Sequence, residues 1–355
     1  MAPVDWSSLP PDLVARVTDV FLATSDVDYY MSLRAVCHDW RASTDDALGL
    51  RFHLLRWVML DADDDLGRCL LLNVETGRFL WKDQPMLRNY DCVASATNGR
   101  LVLVGAMASG CCKVCLLNPF TGHQVRFLVD RSYLSVFHGT RVVVAGSSSS
   151  GLYTVWRDAR PVAHIEPARG RRATMLTVVN PPIIIGHIAT IATFQGRVYA
   201  VDRQGTVFLE DQENGPKMTT VVAGDVQVDR GCPYLVNNVG ELLMVRVPTS
   251  RIGMQVFRVD VENKALVAVG HIGRRAIFLV FGRCLSVDAT NLLGIEGNCV
   301  YYGRYERDGV SVVHLDGRSE EFIKIDVHAR RPLSLLEYIQ TRCNQVFRSI
   351  KICTA

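Results

Sequence analysis

The chain has 355 residues, 48% of them apolar, and a formal net charge of +3. That apolar fraction supplies a sizeable core and excludes wholesale disorder, while the near-balanced charge gives no electrostatic case for nucleic acid or an anionic membrane. Its 11 cysteines, scattered and odd in number, suit a reduced protein of the cytoplasm or nucleus, where thiols serve as small apolar residues.

The first residues, Met1-Ala2-Pro3-Val4-Asp5, lack the apolar core of a signal peptide. Leu13, Val17 and Phe21 then fall at i, i+4 and i+8 with Val20 beside them, which predicts a helix of about three turns. Pro10 and Pro11 suit its first turn, where a missing N–H costs nothing. Tyr29, Leu33, Val36 and Trp40, at i, i+4, i+7 and i+11, predict a second helix, with Ser25 or Asp26 as its cap. Two or three helices in about fifty residues are marginal alone and leave apolar positions for a partner to cover.

The segments Leu9-Pro10-Pro11-Asp12-Leu13 and Val36-Cys37-His38-Asp39-Trp40-Arg41 resemble the two ends of an F-box. That resemblance implies docking on a Skp-type adaptor, and through it on a cullin, by Leu9, Pro10, Leu13, Val17, Leu33, Val36 and Trp40. Read without it, the same residues pack a helical cap onto the larger domain.

From about residue 54 the pattern changes to short apolar runs separated by turn residues. The runs lie at 57–60, 69–74, 101–104, 114–117, 141–145, 198–201, 242–247, 255–259, 276–280 and 299–302, each of ordinary strand length. Glu75-Thr76-Gly77, Thr97-Asn98-Gly99, Phe120-Thr121-Gly122 and Arg203-Gln204-Gly205 punctuate them as turns. A unit of glycine, apolar strand, polar turn and second strand recurs from Gly99, Gly139, Gly196, Gly240 and Gly297, at the spacing of four-stranded propeller blades. The expected fold is mainly β: a small all-α N-terminal domain at 1–50 and a β-propeller at 51–330 of about six blades, with seven if one is short. A helix at 331–355 follows, from the apolar stripe Leu336, Ile339, Cys343 and Ile350. A single large sandwich is the competing architecture.

Several turns carry a second resemblance. Leu117-Asn118-Pro119-Phe120-Thr121-Gly122, Phe194-Gln195-Gly196-Arg197-Val198-Tyr199, Gly240-Glu241-Leu242-Leu243 and Gly297-Asn298-Cys299-Val300-Tyr301-Tyr302 are similar, in order, to a plant F-box family with a C-terminal KIB-type propeller. Read by themselves these are fold punctuation: Asn118-Pro119 starts a turn and Gly122 supplies positive φ.

Motifs that would carry chemistry point away from it. Cys112 and Cys115 form a Cys-x-x-Cys with neither a second pair nor more than one close histidine, His123, so a strand-embedded apolar cluster is the expectation rather than zinc. Neither a phosphate loop nor a His-Glu-x-x-His occurs, and Ser147 to Ser150 miss the Gly-x-Ser-x-Gly spacing. The most apolar stretch, 176–194, is broken by Asn180-Pro181-Pro182 and Gly186, which suits buried strands and not a membrane helix. Asp61, Asp63, Asp64 and Asp65 read as an acidic loop, and Arg169, Arg171 and Arg172 as a basic one. The expectation is a non-catalytic substrate receptor of an SCF-type ubiquitin ligase, with a target protein on the propeller and no cofactor. The alternatives are a scaffold that works without the ligase and, last, an enzyme with a site in the channel.

Overall fold

A computed structural model describes residues 9–45, 56–63, 65–95, 99–106, 111–130, 142–146, 153–157, 160–165, 188–211, 217–224, 231–248, 253–280, 283–292, 294–303, 309–317 and 320–324. The expected C-terminal helix, the serine run and the basic loop lie outside these residues.

Three helices come first: α1 (Pro11–Ala23), α2 (Val27–Arg34) and α3 (His38–Ala42). The single second helix expected from Tyr29 to Trp40 is corrected to two. Cys37 adopts an extended conformation, φ −156° and ψ 172°, and its Sγ accepts from the Trp40 amide at 3.5 Å. A side chain that caps a new helix start ends the old one. The Arg34 guanidinium donates to Thr44 Oγ1 at 2.8 Å, and Arg41 Nε donates to the Arg34 carbonyl at 3.2 Å. These bonds hold α3 and its trailing residues against α2. Tyr30, almost fully buried, donates its hydroxyl to the Asp45 carbonyl at 2.9 Å.

Among the described residues, strands then follow in six sheets. The first contains β1 (Trp57–Asp63), β2 (Arg68–Asn73) and β3 (Phe79–Asp83); the second β4 (Asp91–Ser95), β5 (Leu101–Ala106), β6 (Cys111–Leu117) and β7 (Gln124–Asp130). The third contains β8 (Val142–Gly146), β9 (Tyr153–Arg157) and β10 (Arg160–Ile165). The fourth contains β11 (Ile188–Phe194), β12 (Arg197–Asp202), β13 (Val207–Asp211) and β14 (Lys217–Val222). The fifth contains β15 (Cys232–Asn238), β16 (Glu241–Val247), β17 (Gln255–Asp260) and β18 (Ala265–Ala268). All five are antiparallel meanders.

The last sheet is different. It takes the order β20 (Arg283–Asp288), β19 (Arg275–Val280), β21 (Cys299–Gly303), β22 (Gly309–His314) and β23 (Glu321–Lys324), with β19 and β21 parallel. The hairpin β19–β20 is inserted at the inner edge of what would otherwise be a three-stranded meander. Among the described residues, the expected six or seven four-stranded blades are therefore corrected to five meander blades of three or four strands plus this composite sheet.

The sheets form a ring. Inner strands β1, β4, β8, β11, β15 and β20 pack in succession. Leu60, Leu70 and Leu72 of the first sheet share a core with Phe278, Val287, Tyr301 and Val312 of the last. Phe278 and Tyr301 stack there, with ring centroids 4.7 Å apart and planes at 14°. The Asp288 amide donates to the Val74 carbonyl at 2.9 Å, and Arg275 pairs with Glu75 at 3.1 Å. A closed ring of radial sheets that bury apolar faces between neighbours is a β-propeller. Each apolar run seen in the sequence overlaps one of these strands.

The acidic loop expected from Asp61 to Asp65 is corrected in part. Asp63 ends β1, is buried, accepts from the Leu66 amide at 3.1 Å and pairs with Arg68 at 3.4 Å. The Cys-x-x-Cys lies within β6, where Cys115 is fully buried and desolvation pushes its thiol up to about 11. Among the described residues, no helix is long and apolar enough to cross a membrane.

Candidate functional site

The helical unit is fastened to the first sheet through its α1–α2 turn. Ser25, at φ +57°, takes the left-handed conformation that closes a helix. Its amide donates to Leu22 O at 3.1 Å and the Asp26 amide to Phe21 O at 2.8 Å, a Schellman pattern with serine where glycine is usual. The carbonyls left over at the end of α1 receive donors from the propeller. Trp57 Nε1 donates to Ser25 O at 2.5 Å, Asn73 Nδ2 to Thr24 O at 3.0 Å, and Arg56 to Ala23 O. These donors satisfy the negative end of the helix dipole.

The start of α2 meets a cation. Arg78, in the turn between β2 and β3, donates to Asp26 Oδ1 and Asp28 Oδ1, both at 3.0 Å, and its guanidinium lies 3.8 Å from the Tyr29 ring centroid. Burial alone would lower the Arg78 pKa, but the bonds to Asp28 and Asp26 outweigh it and raise it above the ordinary arginine value. Asp26 stands at the N-cap position of α2 as expected, yet its carboxylate makes no cap bond there. It serves Arg78 and accepts from Thr24 Oγ1 at 2.7 Å. Val27, 1% exposed, inserts into the core between the first and second sheets beside Trp57, Met59 and Leu101.

With this side fixed, the opposite side of α1 faces outward. Val14 and Thr18 are buried, whereas Leu13 is 37% exposed, Val17 41% and Val20 59%. Their spacing places these three on one stripe. Val36, between α2 and α3, is 56% exposed. Pro10 is exposed, and Leu9 and Trp40 are half-buried. Leu33 is buried, so its side chain serves packing rather than contact with a partner. Trp40 Nε1 is itself buried and among the described residues has no hydrogen-bond partner. Of the residues the F-box resemblance named, Pro10, Leu13, Val17 and Val36 thus offer open apolar surface. Sequence periodicity finds the stripe on α1. It misses Arg78, which stands 52 positions from Asp26 and carries no local signal of its role.

The ring of sheets with a helical unit fastened to one blade defines a β-propeller protein. Residues 71–322 match the family model described as KIB1-4 beta-propeller, and the chain belongs to that family. No curated protein matches the chain. Among solved structures, it is similar to a putative 6-phosphogluconolactonase from Bacteroides uniformis, at 12% identity over 74% of this chain and 80% of that one, with a TM-score of 0.38. It is also similar to an uncharacterized protein of Listeria monocytogenes, at 9% identity over 78% and 97% of the two chains, TM-score 0.34. A third is the computationally designed Ika8 protein, at 11% identity over 74% and 85%, TM-score 0.32. Likenesses at this level carry no argument about activity.

Proposed function

We propose that the chain is a substrate-recognition subunit of an SCF-type ubiquitin ligase. Its helices dock on a Skp-type adaptor and through it on a cullin, and its propeller holds a target protein in the cytoplasm or nucleus. Ubiquitin transfer takes place on other subunits, so this chain needs no catalytic residues or cofactor for the role. The observation that carries the reading is the stripe of Leu13, Val17 and Val20 on α1. Three aliphatic side chains in one open row are costly to hydrate on a unit this small, and a partner helix would bury them.

The test is capture of a purified Skp-type adaptor by the full-length chain. Wild type retains the adaptor, while the double variant Leu13→Asp/Val17→Asp loses it with an unchanged circular dichroism spectrum, since both positions are partly open. No capture by the wild type would overturn the proposal. A second reading has its own observation: the bonds from Trp57, Asn73 and Arg78 suit helices that cap the propeller of a ligase-independent scaffold. That reading gains if the wild type fails to retain the adaptor.

A further inference from the structure

On the outer half of the composite sheet, β21 and β22 run antiparallel with Cys299 opposite His314. Both are buried, and Cys299 Sγ lies 3.2 Å from His314 Nδ1. Glu296, on the loop that leads into β21, brings Oε2 to 3.9 Å from the same nitrogen. These sulfur, nitrogen and oxygen atoms all lie within 4.8 Å of one another.

The loop that presents Glu296 is held in place. The Glu296 amide donates to the hydroxyl of Tyr301 at 2.7 Å, and Asn298, at φ +59°, accepts from the Ile272 amide through Oδ1 at 2.9 Å. A cavity of about 500 Å³ opens beside the cluster and is lined by Glu296 and His314 together with His271, Arg274 and Asp316.

His314 is 7% exposed, and among the described residues its Nε2 has no hydrogen-bond partner; Glu321 Oε1 lies 3.7 Å from it. Nδ1 faces Cys299 Sγ and the Glu296 carboxylate, and Nε2 faces the Glu321 carboxylate, so the two ring nitrogens point to opposite sides of the cluster. A thiol, an imidazole nitrogen and a carboxylate thus converge, and the Cys299 thiol also reaches the Gly297 carbonyl at 3.2 Å. A ring that binds a metal through one nitrogen and turns the other toward a carboxylate is the usual arrangement of a histidine ligand.

We propose that Cys299, His314 and Glu296 form a binding site for a borderline divalent cation of the zinc class. Thiolate, imidazole and carboxylate are the ligand types such an ion takes. Bond lengths of about 2.3 Å to sulfur and 2.0 Å to nitrogen set a tetrahedral sulfur–nitrogen separation of about 3.5 Å, close to the 3.2 Å present. Glu296, largely exposed, needs only a small inward rotation to complete the third bond. The fourth position faces the cavity and is open to water. Glu321 acts from outside the ligand set by orienting the His314 ring. The ion would tie the Glu296 loop to both β21 and β22. This site is independent of the ligase reading and stands or falls separately.

The test uses the full-length chain after chelator treatment and titration with Co²⁺, followed by competition with Zn²⁺. The wild type is expected to take up one tight equivalent, with a thiolate-to-cobalt charge-transfer band in the near ultraviolet and visible bands of tetrahedral intensity. Zn²⁺ displaces the cobalt and raises the melting temperature by a few degrees. Cys299→Ser and His314→Gln abolish the charge-transfer band, while Cys232→Ser, at an exposed free thiol, leaves it intact. Glu296→Gln lies on open surface and folds regardless; it weakens cobalt binding at least tenfold. A band that survives Cys299→Ser, a band lost with Cys232→Ser, wild-type affinity in Glu296→Gln, or no tight equivalent in the wild type would each overturn the proposal.

Discussion

Arg78 joins two parts of the chain that sequence distance keeps apart. It sits 23% exposed between Asp26 and Asp28 and stacks over Tyr29, so a single side chain neutralises two acids at the start of α2. A surface pair would contribute little, and a fully buried one would weigh its attraction against desolvation. This one lies between those limits and gains from forked geometry. Arg78→Met keeps most of the stem and removes the charge, leaving the buried Asp26 and half-buried Asp28 carboxylates without their cation. The expected loss is about 1–3 kcal/mol in urea unfolding, with faster amide exchange confined to the α1–α2 turn. Nothing in the sequence around Arg78 announces this role. Asp26 was legible as a residue fit to precede a helix, but its partner was not, because the pairing depends on where the first sheet lies.

At the scale of elements, one turn appears twice. Asn73 and Asn118 each accept through Oδ1 from the amides two and three positions on, at 3.0 and 3.2 Å for Glu75 and Thr76 and at 2.9 and 3.2 Å for Phe120 and Thr121. Each turn ends in a glycine of positive φ, Gly77 at +69° and Gly122 at +70°. These Asx turns join the second and third strands of the first sheet and the third and fourth of the second sheet. Asn118→Ala would leave the Phe120 and Thr121 amides without their acceptor. A loss of about 1–2 kcal/mol is expected, read as a lower denaturation midpoint with an unchanged denaturant slope.

Such turns were legible because their chemistry is local: asparagine, two or three residues, then glycine. The strands were legible for the same reason, as apolar runs between turn residues. The break between α2 and α3 was not, since Tyr29, Leu33, Val36 and Trp40 keep helical spacing across it and only the backbone of Cys37 reveals it. Cys299 and His314 escaped motif reading for a related reason. Their proximity is set by strand register across 15 positions, not by a short spacing.

Across the whole molecule the seam between the last and first sheets is where the ring closes, and it is polar as well as apolar. Asp288 faces Arg274 at 3.2 Å and accepts from the Thr290 amide at 3.0 Å. Burial pushes its carboxyl up, but Thr290, Arg274 and Arg275 outweigh that and hold it below the ordinary carboxylate value. A carboxyl depressed in the folded state contributes stability that is fully present above its unfolded value, about 3.9, and is lost as the pH falls through the lower folded value. Wild type should therefore exceed Asp288→Asn in unfolding free energy at neutral pH. The gap should narrow as the pH drops below about 4, measured by urea titrations at a series of pH values. A gap that is constant with pH would mean that the side chain acts there only through its shape.

The same seam sets an order of events. Glu75 and Arg275 are 200 positions apart, so the ring cannot shut until most of the chain has been synthesised, and contacts of such separation form slowly. The α1–α2 turn, by contrast, has met Trp57, Asn73 and Arg78 once fewer than eighty residues have emerged. During synthesis the helices can therefore be in place on a single blade while the propeller is still an open arc. In that interval the apolar face of the first sheet that the last sheet will cover has no neighbour, which makes the time before ring closure the period when this chain depends most on a chaperone.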